Sequence, residues 1–189
     1  IVNLDSFYEI DIVEEIAFRN RNSKLNIGIR CNFEIDGQSN SRFGFDVNTK
    51  NFIEVFNKLQ KIENINITGL HCHFPNRNLE SYESRVDEIT LLVDKLFSTP
   101  PEYISVGGGY SGKMDTSLEK QFKYKTPQYD EYAEVVATKF NEHYKNIKDE
   151  LKPKLFLEPG TAIAADTMKF VARVIDIKNI RGNYIATTT

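Results

Sequence analysis

The chain has 189 residues, 27% charged and 40% hydrophobic, and its Lys+Arg 24 against Asp+Glu 27 leave a net charge of -3. That length buries a substantial core, but a complete (β/α)8 barrel typically takes about 250 residues. The charge balance offers no excess of positive charge to a phosphate backbone, and no apolar run approaches the roughly 18 residues of a membrane span, so neither nucleic acid nor a membrane is an expected partner.

Strands and helices alternate along the sequence, the pattern of parallel βαβ units. Residues 1–5 read as a strand and not as a charged segment followed by an apolar one, and the lack of an initiator Met suggests a piece of a longer chain. Ser6 and Glu9 make a capping-box pair ahead of a helix that buries Ile10, Val13 and either Ile16 or Ala17. Residues 25–32 form a second strand. Thr49 is placed to cap a helix carrying Phe52, Phe56 and Leu59, and residues 65–74 form a third strand. A helix with Tyr82, Val86, Ile89, Val93 and Leu96 on one face leads past Pro100 and Pro101 to a strand that ends in Gly107. The next helix opens near Pro127, presents Ala133, Val136 or Ala137, Phe140 and Tyr144, and delivers the chain to a strand ending at Glu158. These are five βα-type strands, where a full barrel has eight. From Met168 the pattern changes to two β-rich runs, 169–178 and 184–189, separated by a hairpin turn at 179–183. The expected fold class is α/β: a partial TIM (β/α)8 barrel over residues 1–166, about its second half, then the first strands of a β domain over 167–189. Cys31 and Cys72 lie in strand-like runs without framework spacing, which suits reduced, packed thiols in a cytoplasmic protein.

Two strand ends carry the chemistry. The runs Ile104 to Tyr110 and Leu155 to Thr161 each pass from an apolar strand into a glycine-containing loop with free backbone N–H groups, which is how an anion site is made. In a barrel these are the loops after the last two strands, where phosphate most often binds. Gly107, Gly108, Gly109 and Gly112 also match G-x-G-x-x-G, but a dinucleotide fingerprint needs a helix opening within the motif, and residues 113–126 are polar and loop-like. A plain tight turn is a further reading of the same glycines. His71 and His73 lie two apart on a strand and project to one side. They read as core histidines, as a pair of metal ligands or, for His73, as a partner against a flat aromatic ligand. A metal needs a third ligand, and His143 falls on a helix remote from the strand ends, so no metal site is expected. Glu158 emerges at the functional end of its strand. It either pairs with a neighbouring cation, Arg30 being available, or holds a proton on a heteroaromatic nitrogen, as a pyridoxal ring requires. Arg30 is equally open between ion pairing and active-site duty.

Taken in order, Arg30 in its apolar strand, Ser41-Arg42-Phe43-Gly44-Phe45, Gly69-Leu70-His71-Cys72-His73, Val106-Gly107-Gly108-Gly109-Tyr110 and Glu158-Pro159-Gly160 resemble the pyridoxal-phosphate-dependent decarboxylases of the alanine-racemase-like fold, such as diaminopimelate and ornithine decarboxylases. The resemblance spans nearly the whole chain. It implies pyridoxal 5′-phosphate as cofactor, with His73 stacked on its ring, Gly107, Gly108, Gly109, Gly160 and Thr161 holding its phosphate, Glu158 at the pyridine nitrogen and Arg30 close behind the ring. Glu158 and His73 are then the catalytic residues. It further implies α-decarboxylation of an amino-acid substrate by an intact homodimer. Three departures stand out. Phe74-Pro75-Asn76 occupies the place of an aliphatic residue, Gly and a phosphate-binding Ser, leaving Asn76 as the candidate for that contact. Thr161 stands where the family usually has Arg after Glu-Pro-Gly. No segment resembles the Ala-x-Lys-Ala-Asn of the Schiff-base lysine, so the 189 residues alone are expected to be inactive. Racemases of this fold generally set an arginine at the pyridine nitrogen, so Glu158 favours decarboxylation. A non-catalytic pyridoxal-phosphate-binding module and a metal-dependent amidohydrolase are the remaining alternatives.

Overall fold

The chain opens with β1 (Val2–Leu4) and α1 (Phe7–Arg19), then passes through β2 (Leu25–Asn32) and the two-residue β3 (Phe45–Asp46) to α2 (Lys50–Gln60), β4 (Ile65–His71) and α3 (Leu79–Leu96). It continues as β5 (Tyr103–Gly108), a short α4 (Thr116–Glu119), α5 (Tyr129–His143), β6 (Lys154–Glu158) and α6 (Gly160–Ala164), and ends in the strands β7 (Val174–Ile180) and β8 (Asn183–Thr188). The computed structural model describes residues 2–35, 41–114, 116–120, 125–164, 167 and 169–189.

Helix starts follow their capping chemistry. The Glu9 carboxylate accepts the Ser6 N–H at 3.2 Å, Thr49 Oγ1 accepts the Phe52 N–H at 3.3 Å, and the Glu131 carboxylate accepts the Gln128 N–H at 2.7 Å. In α1 it is Ala17 and not Ile16 that is buried. In α5 the inward residues are Tyr132, Val136 and Phe140, whereas Ala133 and Ala137 are exposed.

The sheet runs β1-β2-β4-β5-β6, every pair parallel, with β3 beside β2. β4 and β5 carry nearly continuous buried runs in place of an alternating pattern, as strands covered on both faces do. On one face the Tyr103 ring fills the space over Gly28 and Gly69, stacks on Phe156 with centroids 5.0 Å apart, and donates its hydroxyl to Asn3 at 2.6 Å.

Several expected boundaries move. The first strand stops at Leu4, and the third stops at His71, although the Cys72 N–H still reaches the Ser105 carbonyl at 2.9 Å. Residues 169–173 carry no regular structure, and strand β7 begins only at Val174. The hairpin turn is narrower than 179–183: Ile180 pairs with Asn183 around Arg181 and Gly182, at φ 52° and 82°, the signs of a type I′ turn. Both hairpin strands are exposed along their whole length. The polar stretch 113–126 contains α4, while residues 121–124 lie outside the described residues. Ile1, Asp166 and Met168 also lie outside them, so the boundary expected at 166/167 is not described. Among the described residues no helix is long and apolar enough to cross a membrane.

Candidate active site at the C-terminal ends of the strands

The strand register assembles the site. Arg30 stands opposite His71, and His71 opposite Ser105, with Phe156 next in the row. Neighbours in register point to one side of a parallel sheet, so Arg30, His71 and Ser105 line up across three strands. Two residues further along, the alternation of side chains brings His73 and Glu158 to that same side.

There His71 Nε2 lies 3.2 Å from Glu158 Oε1, and the Ser105 hydroxyl donates to the same oxygen at 3.0 Å. His73 Nδ1 is 4.0 Å from the other carboxylate oxygen. The His71 hydrogen bond outweighs the cost of burial and holds the Glu158 carboxyl down to about 2, so Glu158 is ionised throughout the neutral range. His73 Nδ1 accepts the Gly108 N–H at 3.1 Å, which leaves its proton on Nε2. Burial first, then the positive charges of Arg85 and Arg30, lower the His73 pKa below its ordinary 6.5. His73 therefore presents a neutral, half-exposed ring. His71 Nδ1 is buried without a partner among the described residues.

Arg30 does not pair with Glu158. Asp5 leaves β1 directly beside it and binds its guanidinium at 2.9 Å, and the same guanidinium stacks on Phe43 at 4.6 Å. Arg42 packs on that ring too, at 4.7 Å. Arg30, Ser41, Phe43, His71, His73, Pro75 and Glu158 surround a cavity of about 460 Å³, within the size range of small-molecule sites.

Gly107 and Gly109 adopt φ of 72° and 96°, a region that favours glycine, and a Cβ on Gly107 would collide with the Cys72 carbonyl. Two of the N–H groups expected to be free are not: Gly107 donates to Ser105 Oγ at 3.3 Å and Gly108 to His73. The strand end spends these donors on fixing the two side chains that flank Glu158. The loop then runs against the turn after β6. A Cβ on Gly112 would stand 2.9 Å from the Thr161 carbonyl oxygen, and the Thr161 hydroxyl donates to the Tyr110 carbonyl at 3.4 Å. The Gly107 to Gly109 loop and the Gly160-Thr161 turn thus sit side by side at one end of the sheet.

Other contributors escaped the sequence reading. Arg85 of α3 is 0% exposed and donates to four backbone carbonyls, those of Phe74, Asn76, Val106 and Gly108, at 2.9, 2.6, 3.3 and 3.0 Å. Its guanidinium stacks 4.1 Å over the Tyr82 ring. The signal was present in its position: Arg85 lies three residues after Tyr82 and four before Ile89, inside the apolar stripe. Ser105 was equally legible, two residues before Gly107 and hence on the same side of the strand. Asn76 contributes its carbonyl to Arg85. His143 pairs with Asp94 at 3.1 Å between α5 and α3. Among the described residues no group of three His, Cys, Asp or Glu is able to hold a metal ion.

A family model described as "Pyridoxal-dependent decarboxylase, pyridoxal binding domain" matches residues 1–165. The chain is 26% identical over 190 residues to the diaminopimelate decarboxylase of Aquifex aeolicus, covering 94% of this chain and 41% of that protein. Against the Haemophilus influenzae enzyme of the same name the identity is 25% over 200 residues, covering 98% and 44%. Among solved structures, diaminopimelate decarboxylase from Helicobacter pylori complexed with L-lysine matches with a TM-score of 0.71 at 21% identity, covering 98% of this chain and 45% of that one. The arginine decarboxylase of Paramecium bursaria Chlorella virus bound to agmatine matches at 0.64 and 18%, covering 97% and 46%. The structural likeness establishes a shared fold, of which this α/β sheet is part. The chain spans less than half the length of these relatives.

Proposed function

The chain belongs to the pyridoxal-dependent decarboxylases, and from that premise we propose that the whole protein removes the α-carboxyl group of an amino acid, with pyridoxal 5′-phosphate seated between His73 and Glu158. The substrate class follows the names of the relatives, amino acids of the diaminopimelate or arginine type. The observation that carries the reading is the Glu158 carboxylate, fixed by His71 and Ser105 at the wall of a cavity large enough for a planar ring.

The residues present fit this cofactor in their donor chemistry. His73 offers a neutral aromatic face, Glu158 a fixed carboxylate, and the two glycine turns a common corner for a phosphate. When bound, pyridoxal phosphate supplies a conjugated ring that takes up the electron pair left by the departing carboxyl group. Glu158 holds a proton on the ring nitrogen, and His71 and Ser105 keep Glu158 in place. His73, fixed by the Gly108 N–H, orients the ring face. Arg30, anchored on Asp5, closes the wall behind it. No lysine is among the described residues lining the cavity, so the amine that engages the cofactor's aldehyde is assigned to another part of the whole protein, and the 189 residues alone are expected to be inactive. Residues 1–166 as barrel, 167–189 as the start of a β domain, a homodimer and a cytoplasmic location complete the proposal.

In the whole protein, Glu158→Gln is expected to slow decarboxylation on the order of a hundredfold or more, with a much smaller loss of cofactor affinity, because the proton on the ring nitrogen matters chiefly in the transition state. Turnover measured beside cofactor dissociation decides it. Near-normal turnover in the variant would make Glu158 structural.

A further inference from the structure

A phosphate monoester brings close to two negative charges at neutral pH, and neither Gly107 to Gly109 nor Gly160-Thr161 carries a cationic side chain to meet them. The N–H groups of Gly107 and Gly108 are used within the protein, and Thr161 is uncharged with its hydroxyl turned to Tyr110. Arg77 stands at this corner. Its Cγ lies 3.9 Å from where a Cβ on Gly109 would be, its side chain is half-buried, and its guanidinium has no counter-ion or acceptor among the described residues.

Its backbone is held in place from two sides. The Tyr132 hydroxyl donates to the Arg77 carbonyl while accepting the Ser111 N–H at 3.3 Å. On the preceding residues, Arg85 grips the carbonyls of Phe74 and Asn76 with one nitrogen and those of Val106 and Gly108 with another, and the Tyr82 hydroxyl shares the Gly108 carbonyl at 2.8 Å. The turn 74–77 is thereby clamped to the glycine strand end. Arg85 is also a buried cation that meets carbonyls, the Ser81 hydroxyl and the Tyr82 ring but no carboxylate among the described residues, so its positive charge remains available to favour an anion nearby.

We infer that Arg77 is the cation that binds the cofactor's phosphate, carried to the glycine loop by a turn that Arg85 and Tyr132 hold in register. A guanidinium offers phosphate oxygens a planar fork of donors, which suits this role better than a point charge. Arg77 is a binding residue and Arg85 a positioning residue. The inference rests on the reading that pyridoxal phosphate occupies this site.

The test is calorimetric titration of the whole protein, wild type, Arg77→Gln and Arg77→Lys, with pyridoxal 5′-phosphate and separately with unphosphorylated pyridoxal, with thermal melts of each variant. Loss of a charge-assisted contact predicts that Arg77→Gln weakens pyridoxal phosphate binding roughly tenfold to a hundredfold while leaving pyridoxal binding unchanged, and that Arg77→Lys recovers part of the loss. Wild-type affinity for pyridoxal phosphate in Arg77→Gln would overturn the inference. So would an equal loss for both ligands, which would mark a structural role, and Arg77→Lys supplies the same comparison if the Gln variant melts early. A wild-type protein that binds neither ligand would remove the cofactor reading itself, a result distinct from either.

Discussion

Glu158 owes its depressed pKa chiefly to a neighbour. The His71 hydrogen bond is the largest influence on its carboxyl, ahead of burial, which acts in the opposite direction. His71→Asn is therefore expected to raise the Glu158 pKa from about 2 back toward its ordinary 4.5, a change that carboxyl 13C NMR across an acid titration reads directly. The sign of the stability effect follows. Because the folded-state pKa is depressed, the contribution of Glu158 is fully present above about 4.5 and fades as the pH falls toward about 2, so the acid branch of the stability profile should flatten in His71→Asn. An unchanged titration would place the cause elsewhere than His71. At this scale the sequence was informative about which residues meet but not about which pair. Arg30, His71 and Glu158 fall on one side of the sheet by simple alternation, yet the pairing turned on Asp5, whose position beside Arg30 depends on the β1–β2 register.

The elements show a similar division. The five parallel strands and the helices α1, α2, α3 and α5 are announced by apolar periodicity and capping residues, because burial and backbone satisfaction act over a few residues, whereas α6 follows a strand end that reads as a loop. The two-residue β3, the short α4 and the late start of β7 are set by tertiary contacts and give no local signal. The clamp formed by Arg85 on α3 is the clearest case: a charged residue inside an apolar stripe has its reason in four carbonyls from two other segments. Arg85→Met removes the donor while keeping bulk, and leaves buried acceptors unpaired. It should cost on the order of 3 kcal/mol or more in urea unfolding. It should also loosen the turn 74–77, seen as faster amide exchange there than in α1. A loss under about 0.5 kcal/mol, the scale of ordinary surface changes, would mean that water satisfies those carbonyls.

Across the whole molecule, burial is uneven. β4 and β5 are enclosed, whereas β6 at the sheet edge is half open beside an apolar groove of about 360 Å³ that includes Leu157, Ile163, Ala133 and Tyr129. The β7–β8 hairpin carries Val174, Ile175, Ile177 and Tyr184 in the open, and an isolated hairpin of this kind is marginally stable in water. The sequence carried the fold class and the order of the site motifs. Gly107 donates within its own strand to Ser105, whereas the use of the Gly108 donor depends on His73, just past β4, meeting β5 across the sheet, which no local pattern encodes. The proton proposed to be held by Glu158 on the cofactor's ring nitrogen is read directly by 15N NMR of the whole protein loaded with ring-15N pyridoxal 5′-phosphate. A protonated-nitrogen shift is expected to persist through pH 8 in the wild type, and an unprotonated shift is expected in Glu158→Gln. The same nitrogen shift in both proteins would contradict the proposal.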